Sequence, residues 1–236
     1  MSEAREAGYL NSIQVGLPTE HPAGGIAEKP WQSGIRKAEV RGPIWLGREN
    51  LRGDGQHNRK VHGGPDRALL SYAAAHYVDW AAELGEQLPV GFAPGAFGEN
   101  FTVSGLDEGT VCLGDVYVIG GAEIEVSQPR LPCANLARRW QLPELPRWVE
   151  ESGRGGWYAR VLREGEVQAG QLILRKARPH PDWTMRRLTA IYLERSQHAG
   201  EATREAWSWL AECAVLSELW REQMQKKLGR RDTSRP

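Results

Sequence analysis

Of the 27 glycines in this 236-residue chain, 25 fall within the first 180 residues, as do 12 of the 14 prolines. A chain broken so often cannot run long helices, because proline removes a backbone donor and glycine in a helix interior is entropically costly. Between the breaks lie short alternating or apolar runs at 9–15, 37–40, 68–72, 110–112, 116–119, 123–126, 156–162 and 171–174. These read as strands. Many short strands separated by frequent turns predict a barrel or a sandwich. Two helices interrupt them, over 73–84 and 145–152, the second with Pro146 in its first turn. A further stretch, 134–140, has helical composition and no breaker.

At Arg178-Pro179-His180-Pro181-Asp182 the character changes. Two prolines mark a linker. Beyond it helix formers dominate, and 184–195, 201–213 and 217–228 read as three helices with apolar residues sharing faces. The expected organisation is a mainly β unit over 1–178, a three-helix unit over 183–236, and a frayed end at 230–236.

The net charge is +0, so no global field draws the chain to nucleic acid or to a membrane surface. No apolar run approaches the length of a membrane span. The start, Met1-Ser2-Glu3-Ala4-Arg5-Glu6, does not read as a signal peptide. Three scattered cysteines, Cys112, Cys133 and Cys213, are not a disulfide framework and fit a reducing, cytoplasmic setting.

Cys133 stands apart from the other two. It closes Ser127-Gln128-Pro129-Arg130-Leu131-Pro132-Cys133, where a strand ends in a proline-stiffened turn and the 134–140 helix begins. Arg130, Arg138 and Arg139 lie close by in sequence. Positive charge beside a thiol favours the thiolate, which is both the nucleophile and the soft metal ligand. The alternative is a buried structural cysteine.

A second dense patch runs Gly53-Asp54-Gly55-Gln56-His57-Asn58-Arg59-Lys60-Val61-His62-Gly63-Gly64-Pro65-Asp66-Arg67-Ala68. Its glycines permit close backbone approach and an anion-binding nest. Its cations suit a phosphate. It matches neither the P-loop nor the dinucleotide fingerprint, and the alternative is a solvated turn. His57 and His62 lack the spacing of a zinc site. A third patch, Gly95-Ala96-Phe97-Gly98-Glu99-Asn100, leads into a strand. A fourth, Ser152-Gly153-Arg154-Gly155-Gly156-Trp157-Tyr158, reads either as a loop holding an arginine beside an anion or as a hairpin.

In this order the four patches resemble the MOSC domain, the family related to the C-terminal domain of molybdenum cofactor sulfurases, and within it the YiiM-type proteins. The resemblance covers about residues 8–178, and the tail is similar to the three-helix domain that often follows. It implies a mainly β barrel of the pyruvate-kinase β-barrel-like kind that binds the molybdenum cofactor, molybdopterin. The family's cysteine matches Cys133, implying a metal ligand or a sulfur carrier. The resemblance implies a molybdenum-dependent oxidoreductase that reduces N-hydroxylated compounds such as purine base analogues, with electrons from a flavoprotein. On this reading Cys133 and His62 are catalytic. Lys60, His62, Gly63, Gly64, Arg67, Asn100, Gln128 and Arg130 hold the cofactor, and Trp157 is a candidate stacking surface for substrate. One departure is Asn58, where the family often has Asp. A persulfide carrier, a cofactor-free thiol hydrolase or peroxidase, and a partner-docking module with a basic 221–235 stretch are the rival readings. The oligomeric state, homodimer or otherwise, stays open.

Overall fold

The computed structural model describes residues 4–59 and 63–229. Lys60, Val61, His62 and the expected frayed end at 230–236 lie outside them.

The chain opens with β1 (Arg5–Val15), a long strand whose two halves serve different partners. Its first half pairs with β12 (Leu172–Ala177) and its middle with β7 (Phe101–Ser104), both antiparallel. Register shifts fall between Glu6 and Gly8 in the first pairing and between Leu10 and Ser12 in the second. A Cβ on Gly8 would lie 2.2 Å from the Ser104 carbonyl oxygen, so the close approach requires glycine here. From β12 the sheet continues through β8 (Val116–Ile119), β9 (Ala122–Pro129), β10 (Trp157–Arg163) and β6 (Leu69–Ala73) to β7 and back to β1. Seven strands thus close into a barrel, which leaves no long open edge. Of the two architectures open to the sequence, closure selects the barrel.

Only the β6–β7 contact in this barrel is parallel. A parallel pair needs a crossover connection, and the crossover here carries α1 (Ala75–Leu84). Four short strands stand outside the closed sheet: β2 (Thr19–His21) pairs with β3 (Trp31–Ser33), and β5 (Ile44–Leu46) with β11 (Gly165–Val167). A fifth, β4 (Ala38–Glu39), extends β1 beyond the barrel. After β9 come α2 (Ala134–Trp140) and α3 (Leu145–Ser152), and the chain ends in α4 (Met185–Leu193), α5 (Glu201–Glu212) and α6 (Glu218–Lys227). Thr184 and Ser217 cap α4 and α6, their hydroxyls accepting from Arg187 N at 3.2 Å and Trp220 N at 3.4 Å.

The expected strand at 110–112 does not form. Asp107 Oδ1 accepts from Gly109 N and Thr110 N, and Asp115 Oδ2 accepts from Cys112 N. Side-chain acceptors take the amides a ladder would need, and the segment becomes a turn.

Two apolar cores result. The larger fills the barrel with Leu10, Ile13, Leu69, Phe101 and Val126, and continues without a break into Leu188, Trp207, Leu210, Leu216 and Trp220 of the C-terminal helices. The second packs α1, α2 and α3 beside the barrel around Tyr72, Trp80, Phe97, Leu136 and Val149. Tyr72 and Phe97 stack there at 4.1 Å.

Candidate functional site

Cys133 sits at the N-cap position of α2 in extended backbone (φ −126°), and its side chain makes no capping bond. It is half-buried and unpaired, whereas Cys112 and Cys213 are buried. Burial also pushes the Cys112 thiol up from its ordinary range. Cys133 opens onto a cavity of about 330 Å³ between the second core and the β2–β3 hairpin.

The cavity is lined by Arg67, Arg130 and Arg138 with Cys133, and among the described residues no aspartate or glutamate lines it. Arg130 is 5% exposed. Its Nη2 donates to the Phe97 carbonyl at 3.3 Å, while its Nη1 is buried with no partner among the described residues. The 153–156 turn seats this arginine. A Cβ on Gly155 would stand 2.2 Å from the Arg130 carbonyl oxygen, and one on Gly156 (φ +80°) 2.4 Å from that of Ser71. Only a glycine pair lets the turn pass so close to β9 and β6. Arg154 in the same turn faces elsewhere: it pairs with Glu83 at 2.5 Å and lies 3.7 Å over the Trp80 ring. The patch is not a hairpin: it is the turn that leads from the helix ending at Ser152 into the strand beginning at Trp157, and the anion beside its arginine is the Glu83 carboxylate rather than a ligand.

Arg67 ends a short 3-10 turn, Pro65–Arg67, which Gly64 enters at φ +90°. Neither Gly63 nor Gly64 lines the cavity. Gly63 packs inward, where an added Cβ would meet Arg59 Cα and Gln56 Oε1 at 3.1 Å. Asn100 lines the cavity floor, but its amide is occupied: Oδ1 accepts from Leu70 N at 3.1 Å, and Nδ2 donates to Gln14 O at 3.2 Å and Asp54 Oδ2 at 2.9 Å. Asp54 is also ion-paired with Lys37 and accepts from Gly16 N at 2.9 Å. Burial pushes the Lys37 ammonium down from its ordinary range, and Asp54 opposes that shift. Gln128 is buried beside the site but does not line it; its Nε2 donates to Pro129 O at 3.2 Å. Lys60 and His62 lie outside the described residues.

Glu99, which the sequence leaves as a polar turn residue, is fully buried. It accepts from Gly95 N at 2.6 Å, Phe97 N at 3.1 Å and Thr102 Oγ1 at 3.1 Å, and from the Tyr77 hydroxyl. This fixes the loop whose Phe97 carbonyl receives Arg130.

Sequence reasoning missed several lining residues. Tyr158 follows the glycine pair and lines the cavity with Arg130; burial pushes its phenol up, and the Arg130 charge partly offsets this. Trp31 and Ser33 come from the hairpin, and Asn135 from α2. Arg138, which the sequence does place near Cys133, lines the cavity too, and the i, i+3 spacing was the available signal for Asn135: the two side chains hydrogen-bond at 3.0 Å. Trp157 is corrected: it is 2% exposed within the barrel core and offers no stacking face. The cavity's tryptophan is Trp31.

Comparison with known proteins follows this geometry. The sequence model of the MOSC domain matches residues 58–173, which span the Arg67, Arg130 and Cys133 elements. The uncharacterized protein YflK of Bacillus subtilis (strain 168) is 37% identical over 86% of this chain and 87% of its own length. Protein YiiM of Escherichia coli (strain K12) is 37% identical over 93% of this chain and 92% of its own. A protein of Gibberella moniliformis named "Reductase" is 34% identical over 78% of this chain, but the match spans only 31% of that longer protein. The crystal structure of YiiM from Geobacillus stearothermophilus superposes with a TM-score of 0.75 at 34% identity, covering 94% of this chain and 99% of that one. With the same barrel and the same three C-terminal helices, the chain belongs to the MOSC domain family and, within it, to the YiiM-type proteins.

Proposed function

We propose that the protein is a molybdenum-cofactor-dependent reductase of N-hydroxylated compounds, purine base analogues among them, with Cys133 as its metal ligand. The observation that carries this reading is the cavity itself: among the described residues it has one half-exposed thiol, three arginines and no carboxylate, with an Arg130 nitrogen buried and unpartnered. A buried donor without an acceptor is costly, and an anionic ligand would relieve it.

The residues fit such a group. Among the described residues no three His, Cys, Asp or Glu side chains gather to hold a bare metal ion. A metal that brings its own soft ligands needs only one thiolate from the protein, and softness matches thiolate to it. Arg130, Arg67 and Arg138 would hold the anionic cofactor through charge-assisted hydrogen bonds. When bound, the cofactor supplies the two-electron chemistry. The Phe97 carbonyl positions Arg130, and the Asp54–Lys37–Asn100 network fixes the cavity floor. Oxygen leaves a hydroxylamine as water, so a proton donor is required at the reacting nitrogen–oxygen bond. His62 is our candidate for it. Support for reduction in particular comes from the relative named "Reductase". The match spans 31% of that protein, and on our reading the electrons here come from a separate flavoprotein.

The test is to express the chain in a molybdenum-competent host, measure molybdenum and pterin per chain, and assay 6-hydroxylaminopurine reduction with an artificial reductant. Stoichiometric molybdenum and turnover, both lost in Cys133→Ser, are expected. A metal-free protein that carries a persulfide on Cys133 would replace this reading with the sulfur carrier.

A further inference from the structure

We propose that Trp31 is the substrate platform of this site and makes it selective for planar, π-conjugated hydroxylamines over aliphatic ones. The proposal rests on the reductase reading above and adds the substrate class.

Trp31 lies on β3 opposite His21 on β2, its register partner. The two rings sit with centroids 4.2 Å apart, tilted by 34°. His21 is buried, and it backs one face of a half-exposed indole that lines the cavity. The other large aromatics of the lining are already committed. Phe97 is 1% exposed and stacked on Tyr72, and Tyr158 is packed in far enough that burial pushes its phenol up. Trp31 is thus the large aromatic surface of the cavity that remains for a ligand.

Its placement relative to Cys133 is fixed by α2. At the helix start, Asn135 Nδ2 donates to Ser33 Oγ at 3.4 Å, two residues from Trp31 on the one side and two from Cys133 on the other. At the helix end, Gln141 Oε1 accepts from Ile26 N at 2.9 Å in the hairpin loop. Gln141 holds a left-handed backbone at φ +53°, uncommon for a non-glycine residue. The helix that begins at the thiol therefore clamps the hairpin at both ends. A ring stacked on Trp31 would be held at a set position with respect to Cys133, and the Gln32 and Asn135 amides of the lining are suited to polar ring edges. Stacking tolerates any base because each has a π-face. An aliphatic hydroxylamine gains nothing from it.

The experiment compares wild type, Trp31→Leu and Trp31→Phe, full-length and cofactor-loaded, on 6-hydroxylaminopurine and cyclohexylhydroxylamine with an artificial reductant. Molybdenum content is measured throughout, and adenine binding is followed by equilibrium dialysis. Trp31→Leu is expected to raise KM for the purine and Kd for adenine about ten- to a hundredfold. Cyclohexylhydroxylamine kinetics and molybdenum content should stay unchanged, and Trp31→Phe should recover most of the loss. Equal losses on both substrates, loss of molybdenum in Trp31→Leu, or no saturable adenine binding by wild type would each overturn the platform. Adenine binding that depends on Trp31, in a protein that reduces neither hydroxylamine, would instead keep the platform and remove the reductase reading.

Discussion

Arg130→Met separates a ligand-holding arginine from a structural one, because the two roles give opposite signs in protein with and without cofactor. In cofactor-free protein the substitution loses a long hydrogen bond to the Phe97 carbonyl, worth about 0.5–1.5 kcal/mol. It also removes a buried nitrogen that has no partner among the described residues, worth about 1–3 kcal/mol in the other direction. No carboxylate among the described residues bonds the guanidinium, so its desolvation is not recovered by an ion pair. The variant should therefore be about as stable as wild type or more so, by up to about 2 kcal/mol. That corresponds to a Tm rise of up to roughly 8 °C for a chain of this size. In loaded protein it loses a charge-assisted contact to the cofactor, costing about 1.5–3 kcal/mol or roughly ten- to a hundredfold in affinity. Thermal unfolding of protein from a cofactor-deficient host reads the first effect, and molybdenum retention after dialysis reads the second. A cofactor-free variant destabilised by more than about 2 kcal/mol, with molybdenum retained, would refute the reasoning.

Cys133→Ser should abolish molybdenum retention and turnover while moving Tm by less than about 4 °C, because the thiol is half-buried, forms no disulfide and makes no capping bond. Iodoacetamide on native cofactor-free protein should label Cys133 before Cys112 and Cys213, which are buried; peptide mapping that finds either one first contradicts the exposure argument. Asp54→Asn strands the buried Lys37 and should cost about 3–5 kcal/mol in urea unfolding near neutral pH. Burial holds the Lys37 pKa below its unfolded value, so the deficit is full below the folded pKa and is relieved as pH rises toward the ordinary lysine range; a deficit that grows with pH would exclude this cause. A chain ending at residue 182 should lose cooperative unfolding, since Trp207, Leu210, Leu216 and Trp220 leave the shared core with it; thermal melts as sharp and as high as those of the full chain would show that the barrel needs none of them.

What could be read in the sequence was local. The Gly and Pro punctuation and the alternation at 116–119 and 123–126 predict β8 and β9 because a half-buried strand repeats every two residues. The six helices described here were all anticipated within a few residues, since each carries its own apolar periodicity or proline start. The strands that went unread, β2, β3, β5 and β11, are three residues long, too short for a period to register. This mattered at the site, because the β2–β3 hairpin supplies Trp31, and no local pattern marks a tryptophan that faces a cavity across the chain from Cys133. Arg67, Arg130 and Cys133 were legible because charge and a proline-flanked thiol are visible one residue at a time. The role of Glu99 was not. Four donors converge on it only after the 95–97 loop has folded back on β7.

The C-terminal helices bear on the site through a specific chain of bonds rather than through proximity alone. Arg160 on β10 donates to Asp66 Oδ1 at 2.9 Å, to Glu125 Oε2 at 2.7 Å and to the Val215 carbonyl at 2.8 Å, joining the 65–67 turn, β9 and the approach to α6. At the start of α6, Glu218 N donates to Asp66 Oδ2 at 3.2 Å, and Ser217 N to Ser127 O at 3.2 Å. Ser127 Oγ in turn donates to Asp66 O at 2.5 Å. Asp66 is thus held from three sides, one of them the helical tail itself and the other two residues that also bond the tail, and its neighbour Arg67 lines the cavity. The sequence suggested a tail suited to docking, separate from the chemistry. The bonding gives it a second part, which is to set the turn that aims Arg67. Loosening α6 would move a cavity-lining cation without touching the cavity, so an effect of the tail on cofactor retention and an effect on electron delivery are physically distinct consequences of the same three helices.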